Sequence, residues 1–349
     1  MKNTTCKNSY FLGANTSTGF RHCADDVINV AEKLYIIKGG PGTGKSRLME
    51  ETAKAAEAKN MTTHRFYCSS DPSSLDGIYI SELSLCIIDG TAPHARDPHY
   101  PGAVEETVNL SDFWDTDILL EERSRIKKLC DKKKKLYDTV YSYIKASDCV
   151  FEGEKQILYS CADIDKISSA VERIFRQKRS GGGYRLSERQ TESVGMKGHV
   201  LFSTFEDSAD KVYVISDTRE IDFIIYDIIL REAKQRDFQV CVSRDPLRKM
   251  TVNAIYLPEL SCAFVNREND GKDQTVINSD RFIIKEKYAE NKNKLRAAYK
   301  IRSEIKANIL SIFEEISSVH FELEDIYIKA MDFEKKEEFT KSFLDKIFG

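Results

Sequence analysis

Through the first 110 residues, apolar runs alternate with turn-forming clusters, a pattern that predicts an α/β unit. Residues 10–14 read as a short strand, and Asn15-Thr16-Ser17-Thr18-Gly19 as a turn. Phe20, Cys23, Val27, Ile28 and Ala31 then fall at helical spacing. Leu34-Tyr35-Ile36-Ile37 is a continuous apolar run, the form taken by a strand buried on both faces. Residues 47–59 predict a helix. Residues 63–68, Ile78-Tyr79-Ile80, Leu85-Cys86-Ile87-Ile88 and 105–110 supply further strands.

From 117 to about 177 the chain contains no proline and becomes highly charged. Leu119, Leu120, Arg123, Ile126, Leu129, Lys133, Leu136, Val140 and Ile144 outline one stripe, and Ile157, Cys161, Ile164, Ile167, Val171 and Ile174 another. Together they predict a helical hairpin projecting from the sheet domain. The basic segment around Gly181-Gly182-Gly183 reads as a flexible linker.

The pattern then repeats. Ile78-Tyr79-Ile80-Ser81-Glu82-Leu83-Ser84 returns as Ile255-Tyr256-Leu257-Pro258-Glu259-Leu260-Ser261, and Leu34-Tyr35-Ile36-Ile37-Lys38 as Val212-Tyr213-Val214-Ile215-Ser216. Asp71-Pro72 finds Asp245-Pro246, and Thr107-Val108 aligns loosely with Thr275-Val276. A second charged helical stretch covers 285–348. The segment before the first core strand is shorter in the second half, so one helix is expected to be missing there. The reading is a fold of two tandem α/β units, each a mostly parallel sheet flanked by helices and followed by a charged helical arm. The divisions fall at 1–115, 116–178, 179–195 (the linker), 196–284 and 285–349.

The candidate chemistry lies between the run Leu34 to Ile37 and the helix that follows. Gly39-Gly40-Pro41-Gly42-Thr43-Gly44-Lys45-Ser46 fits the P-loop pattern G-x-x-x-x-G-K-[ST], in the required order of strand, loop and helix. Glycines let backbone N–H groups wrap a phosphate, and the helix N-terminus favours its charge. Lys45 is placed to reach the β- and γ-phosphates, Ser46 to ligate Mg²⁺, and Arg47, next in the chain, to join the residues that bind the nucleotide. Asp89 ends an apolar run and reads as a Walker B acid that orients the metal's shell. The residue after it is Gly90, so a water-activating base must come from elsewhere; Asp71, Asp76, Glu82 and Glu105 are candidates. Asp71 and Asp76 also fit a turn or helix cap. Thr91, His94 and Arg96 are candidate phosphate contacts. Opposite the glycine loop, the second half reads Asp217-Thr218-Arg219-Glu220-Ile221-Asp222-Phe223, without glycine or lysine and with three acids. Opposite Asp89 it reads Ala263-Phe264-Val265-Asn266-Arg267. The second unit therefore lacks the P-loop and is expected to bind no phosphate.

Phe11-Leu12-Gly13-Ala14-Asn15-Thr16, Lys38 through Ser46, Cys68-Ser69-Ser70-Asp71-Pro72, Ser74-Leu75-Asp76-Gly77, Asp89-Gly90-Thr91-Ala92-Pro93-His94 and Tyr100-Pro101-Gly102-Ala103 resemble an uncharacterised bacterial family of duplicated P-loop ATPases. The resemblance spans essentially the whole chain and implies ATP binding and a P-loop nucleoside triphosphate hydrolase fold. The family's second half usually carries its own glycine loop, and this chain departs from it there.

Composition narrows the picture further. The 349 residues are 41% hydrophobic and 31% charged with a net charge of -3, which suits a soluble protein and gives no global attraction to nucleic acid. The run Lys127-Lys128-Leu129-Cys130-Asp131-Lys132-Lys133-Lys134-Lys135 is a local basic patch, which reads as a solvated helix face or a nucleic-acid contact. No apolar run is long enough for a bilayer, and nothing at the start reads as a signal peptide. Nine cysteines without C-x-x-C spacing fit reduced thiols in a cytoplasm. The expectation is an ATP- and Mg²⁺-dependent ATPase with one site. The alternatives are a small-molecule or nucleotide kinase using 69–77 for its acceptor, and a nucleotide-gated module with an unknown partner, nucleic acid being possible but not favoured.

Overall fold

The computed structural model describes residues 8–92, 95–176, 179–180, 182–267 and 274–349. The first unit runs β1 (Ser9–Phe11), β2 (Gly13–Thr16), β3 (Gly19–His22), α1 (Asp25–Ile28), β4 (Lys33–Lys38), α2 (Lys45–Ala58), β5 (Thr63–Tyr67), β6 (Leu75–Ile80), β7 (Leu85–Asp89) and β8 (Glu105–Asn109). Its sheet has the order β1-β5-β6-β7-β4-β8. The sheet is mixed: β1 with β5, β7 with β4 and β4 with β8 are parallel, whereas β6 is antiparallel to both neighbours. The apolar run of β4 is explained by its central place, because both faces are covered. On one face Tyr35 and Ile37 join Leu48, Met49 and Ala53 of α2. On the other, Leu34 and Ile36 meet Val27 and Ile28 of α1 and residues of the second unit.

The chain continues through α3 (Thr116–Glu121), α4 (Arg123–Cys161) and α5 (Ile164–Ile174). The second unit holds β9 (Arg185–Glu188), β10 (Glu192–Gly195), β11 (Gly198–Leu201), α6 (Thr204–Asp207), β12 (Lys211–Ser216), α7 (Asp222–Gln235), β13 (Gln239–Asp245), β14 (Thr251–Leu257), β15 (Cys262–Val265) and β16 (Thr275–Asn278). The helices α8 (Lys285–Lys329) and α9 (Phe333–Phe348) follow. The second sheet, β16-β12-β15-β14-β13-β9, reproduces the first strand for strand and direction for direction. The two sheets bury one face against each other, with Leu34, Ile36, Cys86 and Ile88 in one cluster with Val214, Ala254, Ala263 and Val265.

Several expectations change at this level. Residues 20–31 do not form one helix, because Gly19, at φ +100, turns the chain so that β3 pairs back onto β2 before the one-turn α1. The second unit has the matching hairpin β10-β11 and the matching one-turn α6, so no helix is missing. The segment 179–195 contains β9, which pairs with β13, and β10. The register moves two pairings. Val108 stands opposite Ile37 and Ile277 opposite Ile215, so Thr107-Val108 corresponds to Val276-Ile277. Asp245 ends β13, one residue after the Arg244–Val252 pair that matches Tyr67–Leu75, so its counterpart is Cys68.

The expected hairpin is instead one 39-residue helix, α4, whose partner is the 45-residue α8. They run antiparallel. Leu129 packs with Val319, Leu323 and Ile326, and Val140 and Ile144 with Ile309, Phe313 and Ile316. An amphipathic stripe says that a face must be buried but not against what. Backbone hydrogen bonds tie both ends: Asp115 N donates to Ala330 O and Asp332 N to Phe113 O, while Ile284 N donates to Cys161 O and Asp163 N to Phe282 O. These bonds are related by a shift of 169 positions, which pairs 113 with 282, 115 with 284, 161 with 330 and 163 with 332. The arms therefore cross. The arm that leaves the first unit ends with α5 packed beside α7 of the second, and the arm that leaves the second ends with α9 on α2 of the first. Phe343 of α9 is buried, with its ring 4.9 Å from that of Tyr35. Phe343→Ala is expected to cost about 3–5 kcal/mol through the lost burial and the cavity left behind, measured by urea unfolding.

Candidate functional site

The loop 39–44 joins β4 to α2. Its tightest constraint is at Gly42, where φ is +72 and a Cβ would sit 2.8 Å from Ile328 Cγ1 and 3.0 Å from the Glu324 carbonyl oxygen. Left-handed backbone and close approach by α8 both demand glycine. The Thr43 hydroxyl donates to Gly40 O at 2.9 Å and tightens the loop. Lys45 Nζ donates to Gly39 O and Gly40 O at 2.8 and 2.7 Å and lies 3.6 Å from Asp89 Oδ2. Ser46 Oγ accepts from Leu75 N at 2.9 Å, which pins the start of α2 to β6.

Asp89, the last residue of β7, is buried and accepts from Thr91 N and the Thr91 hydroxyl. Burial raises its pKa, Lys45 opposes that, and the neighbouring Asp76 adds to it. Asp76 is buried on β6, so two strands bring two carboxylates to the same end of the sheet. Asp71 accepts from Ser73 N and Oγ at 3.2 and 2.6 Å, which is the turn role expected of it as an alternative.

These residues line one cavity of about 410 Å³ with the glycine loop. Five of its lining residues fall outside the segments that the sequence points to. Lys133 and Tyr137 come from α4, His320 and Glu324 from α8, and Met196 from the turn between β10 and β11. Tyr137 donates to Ser70 Oγ at 2.8 Å, and Met196 N to Ser70 O at 2.7 Å. Lys133 Nζ is 2.9 Å from His320 Nδ1. Burial and then the Lys133 charge push the His320 pKa down to about 4, so the imidazole is neutral and accepts from the ammonium. Burial lowers the pKa of Lys133 and raises that of Glu324. One signal for this wall was present in the sequence: Lys133 interrupts an otherwise mostly apolar stripe. Behind the loop, Lys336 of α9 is 1% exposed, and its Nζ lies 3.6 Å from where a Gly44 Cβ would stand. Among the described residues no hydrogen bond reaches that ammonium.

Other candidates lie elsewhere. Arg47 bonds Glu51 and Glu337 at the surface and does not line the cavity. Glu82 accepts from Thr62 N and Oγ1 at the far end of the sheet. Glu105 accepts from His99 N and Tyr100 N and faces Arg96 at 3.8 Å. Of the three possible phosphate contacts, Thr91 lines the cavity, Arg96 does not, and His94 lies outside the described residues. The lysines at 127, 128, 132, 134 and 135 are exposed on α4.

The second unit carries the same positions with the charges exchanged. The helices α2 and α7 are both 14 residues long, and Asp222 opens α7 where Lys45 opens α2. The matched pairs Tyr67–Leu75 and Arg244–Val252 enclose the same number of residues, which places Arg248 at the position of Asp71. Asn266 follows Val265 on β15, where Asp89 follows Ile88 on β7. Arg248 grips Asp222 with both guanidinium amines, at 2.8 and 3.0 Å, and Asn266 donates to the same carboxylate at 2.7 Å. Burial would raise the Asp222 pKa, but Arg248 outweighs it and the net shift is downward. Asp217 beside it is pushed up to about 6 by burial and by Asp222. The expected closed, acidic counterpart is thus filled from within by an ion pair.

Comparisons with family models, with curated proteins and with solved structures returned no match.

Proposed function

We infer that this chain binds one nucleoside triphosphate with Mg²⁺ on the loop 39–44 and hydrolyses it. The observation that carries the reading is the cavity formed where that loop, Lys45, Ser46 and Asp89 meet. The residues fit such a ligand. Gly42 leaves the loop without a side chain at its closest approach to α8. The buried ammonium of Lys336 beside the start of α2 adds positive charge where the helix dipole is already positive. Among the described residues no group of three or more His, Cys, Asp or Glu is gathered as a metal-binding set. That agrees with Mg²⁺ held by one or two carboxylates together with substrate phosphates, and not by an all-protein cage.

On this reading Lys45 offsets phosphate charge, and the Ser46 hydroxyl and Asp89 hold the metal's side of the site. Asp71, Asp76 and Glu324 are the remaining carboxylates within the cavity. Phosphoryl transfer depends mainly on positioning and charge stabilisation, which a cavity lined by Lys45 and Lys133 supplies. The part of the cavity bounded by Cys68, Ser70, Tyr137 and Met196 gives room for an acceptor and keeps the kinase reading as the second one. Phosphate release from ATP and Mg²⁺ separates the two. Release without added acceptor is expected, and Asp89→Asn is expected to slow it at least about tenfold. ATP consumption only on addition of a metabolite pool would favour the kinase. ATP binding without turnover by the wild type would leave a nucleotide-gated module.

A further inference from the structure

We propose that Lys133 is the cation that contacts the terminal phosphate of the bound triphosphate, so that the α4-α8 pair distinguishes triphosphate from diphosphate. This inference rests on the nucleotide reading above and assigns a role to a residue 88 positions from Lys45.

Three observations carry it. First, Lys133 lines the same cavity as the glycine loop, although it stands on the long helix and in its mostly apolar stripe. An ammonium at such a position costs desolvation and needs a compensating partner. Its partner is the neutral His320, which supplies a lone pair but no negative charge. Second, the contact can be exchanged. The His320–Lys133 bond joins the two long helices at the cavity wall, and a phosphate oxygen would replace a neutral acceptor by a charged one, the stronger hydrogen bond. Third, the second unit already makes the equivalent contact. The shift of 169 that relates the arm bonds takes Lys133 to Arg302 and places Phe151 opposite His320. Arg302 is held by Glu154 of α4 and reaches from α8 to the carboxylate of Glu220, in the segment that replaces the glycine loop. Its guanidinium lies 5.5 Å from the Phe151 ring, as the Lys133 ammonium lies against His320. There the anion is built into the chain. In the first unit the helix cation faces a glycine loop, with Glu324 of α8 the acid that acts on it across the cavity, and the ligand brings the anion to the loop.

The test is the binding of ATP and of ADP, each with Mg²⁺, to the full chain by calorimetry. Lys133→Ala is expected to weaken ATP about 10- to 100-fold, the value of one charged hydrogen bond, and to leave ADP unchanged. Lys133→Arg is expected to restore most of the preference for ATP. Lys133→Gln keeps a donor toward His320 without the charge, and is expected to behave as the alanine variant does. Equal loss of ATP and ADP in Lys133→Ala and Lys133→Gln, or ATP affinity unchanged in those two, would overturn the proposal while leaving the nucleotide reading in place. Failure of the wild type to bind either nucleotide would overturn both.

Discussion

Arg248→Ala is expected to destabilise the chain by about 3–5 kcal/mol at pH 7, as found when one member of a buried ion pair is removed. Asp222 is 1% exposed and would keep its charge with only Asn266 and the backbone to answer it. The pH dependence has a definite sign. In the wild type the Asp222 pKa lies below its ordinary value, so the pair contributes stability above that value and loses it as pH falls through the folded one. In the variant, burial without Arg248 moves the carboxyl upward, and the folded state becomes the better proton binder. The deficit relative to wild type should therefore be largest at pH 7 and shrink toward pH 4. Guanidinium unfolding of both proteins at the two pH values measures it. Replacing both partners, as in Asp222→Leu with Arg248→Met, should recover most of the loss, because matched apolar groups commonly substitute for a buried pair at no cost. A deficit in Arg248→Ala that did not change with pH would place its cause in packing, since Arg248 also lies over Phe151 at 5.0 Å.

Lys45→Ala is expected to weaken ATP binding by about 100-fold or more, with the fold retained. Lys45 faces the cavity while its stem lies along the loop, so its removal takes a charge from the site and two bonds from the loop's carbonyls. It also leaves Asp89 without the cation that opposes its burial, so the Asp89 pKa should rise further. The bonds that Ser46 and Thr43 make to Leu75 N and Gly40 O do not involve the Lys45 side chain, which is why the far-UV spectrum and the unfolding midpoint should change little while affinity falls.

What the sequence made legible follows from the range of the interactions involved. The β4-loop-α2 unit needs only an apolar run, four glycines and a helix start, all within about 25 residues. The repeat was equally visible, and Leu34 and Val212 do occupy matching places in matching sheets. Local identity misled where geometry decided. The shared Asp-Pro pair sets Asp245 opposite Asp71 in the sequence, whereas strand register gives that place to Arg248, so the exchanged ion pair does not show in the sequence pattern. The far wall of the cavity was not legible. Lys133 meets His320 across 187 positions, and nothing local to either residue names its partner. The same limit turned an expected hairpin into one long helix paired with another. A charged residue inside an apolar stripe was the one local clue.

On the proposed function, one of two copies of the same fold keeps its site for a triphosphate, while the other is filled by its own ion pair. Equilibrium dialysis of the wild-type chain against ATP and Mg²⁺, read as moles bound per mole of chain, tests it most directly. One equivalent is expected, lost in Lys45→Ala and kept in Asp222→Leu with Arg248→Met. Two equivalents, or one that survives Lys45→Ala, would contradict it.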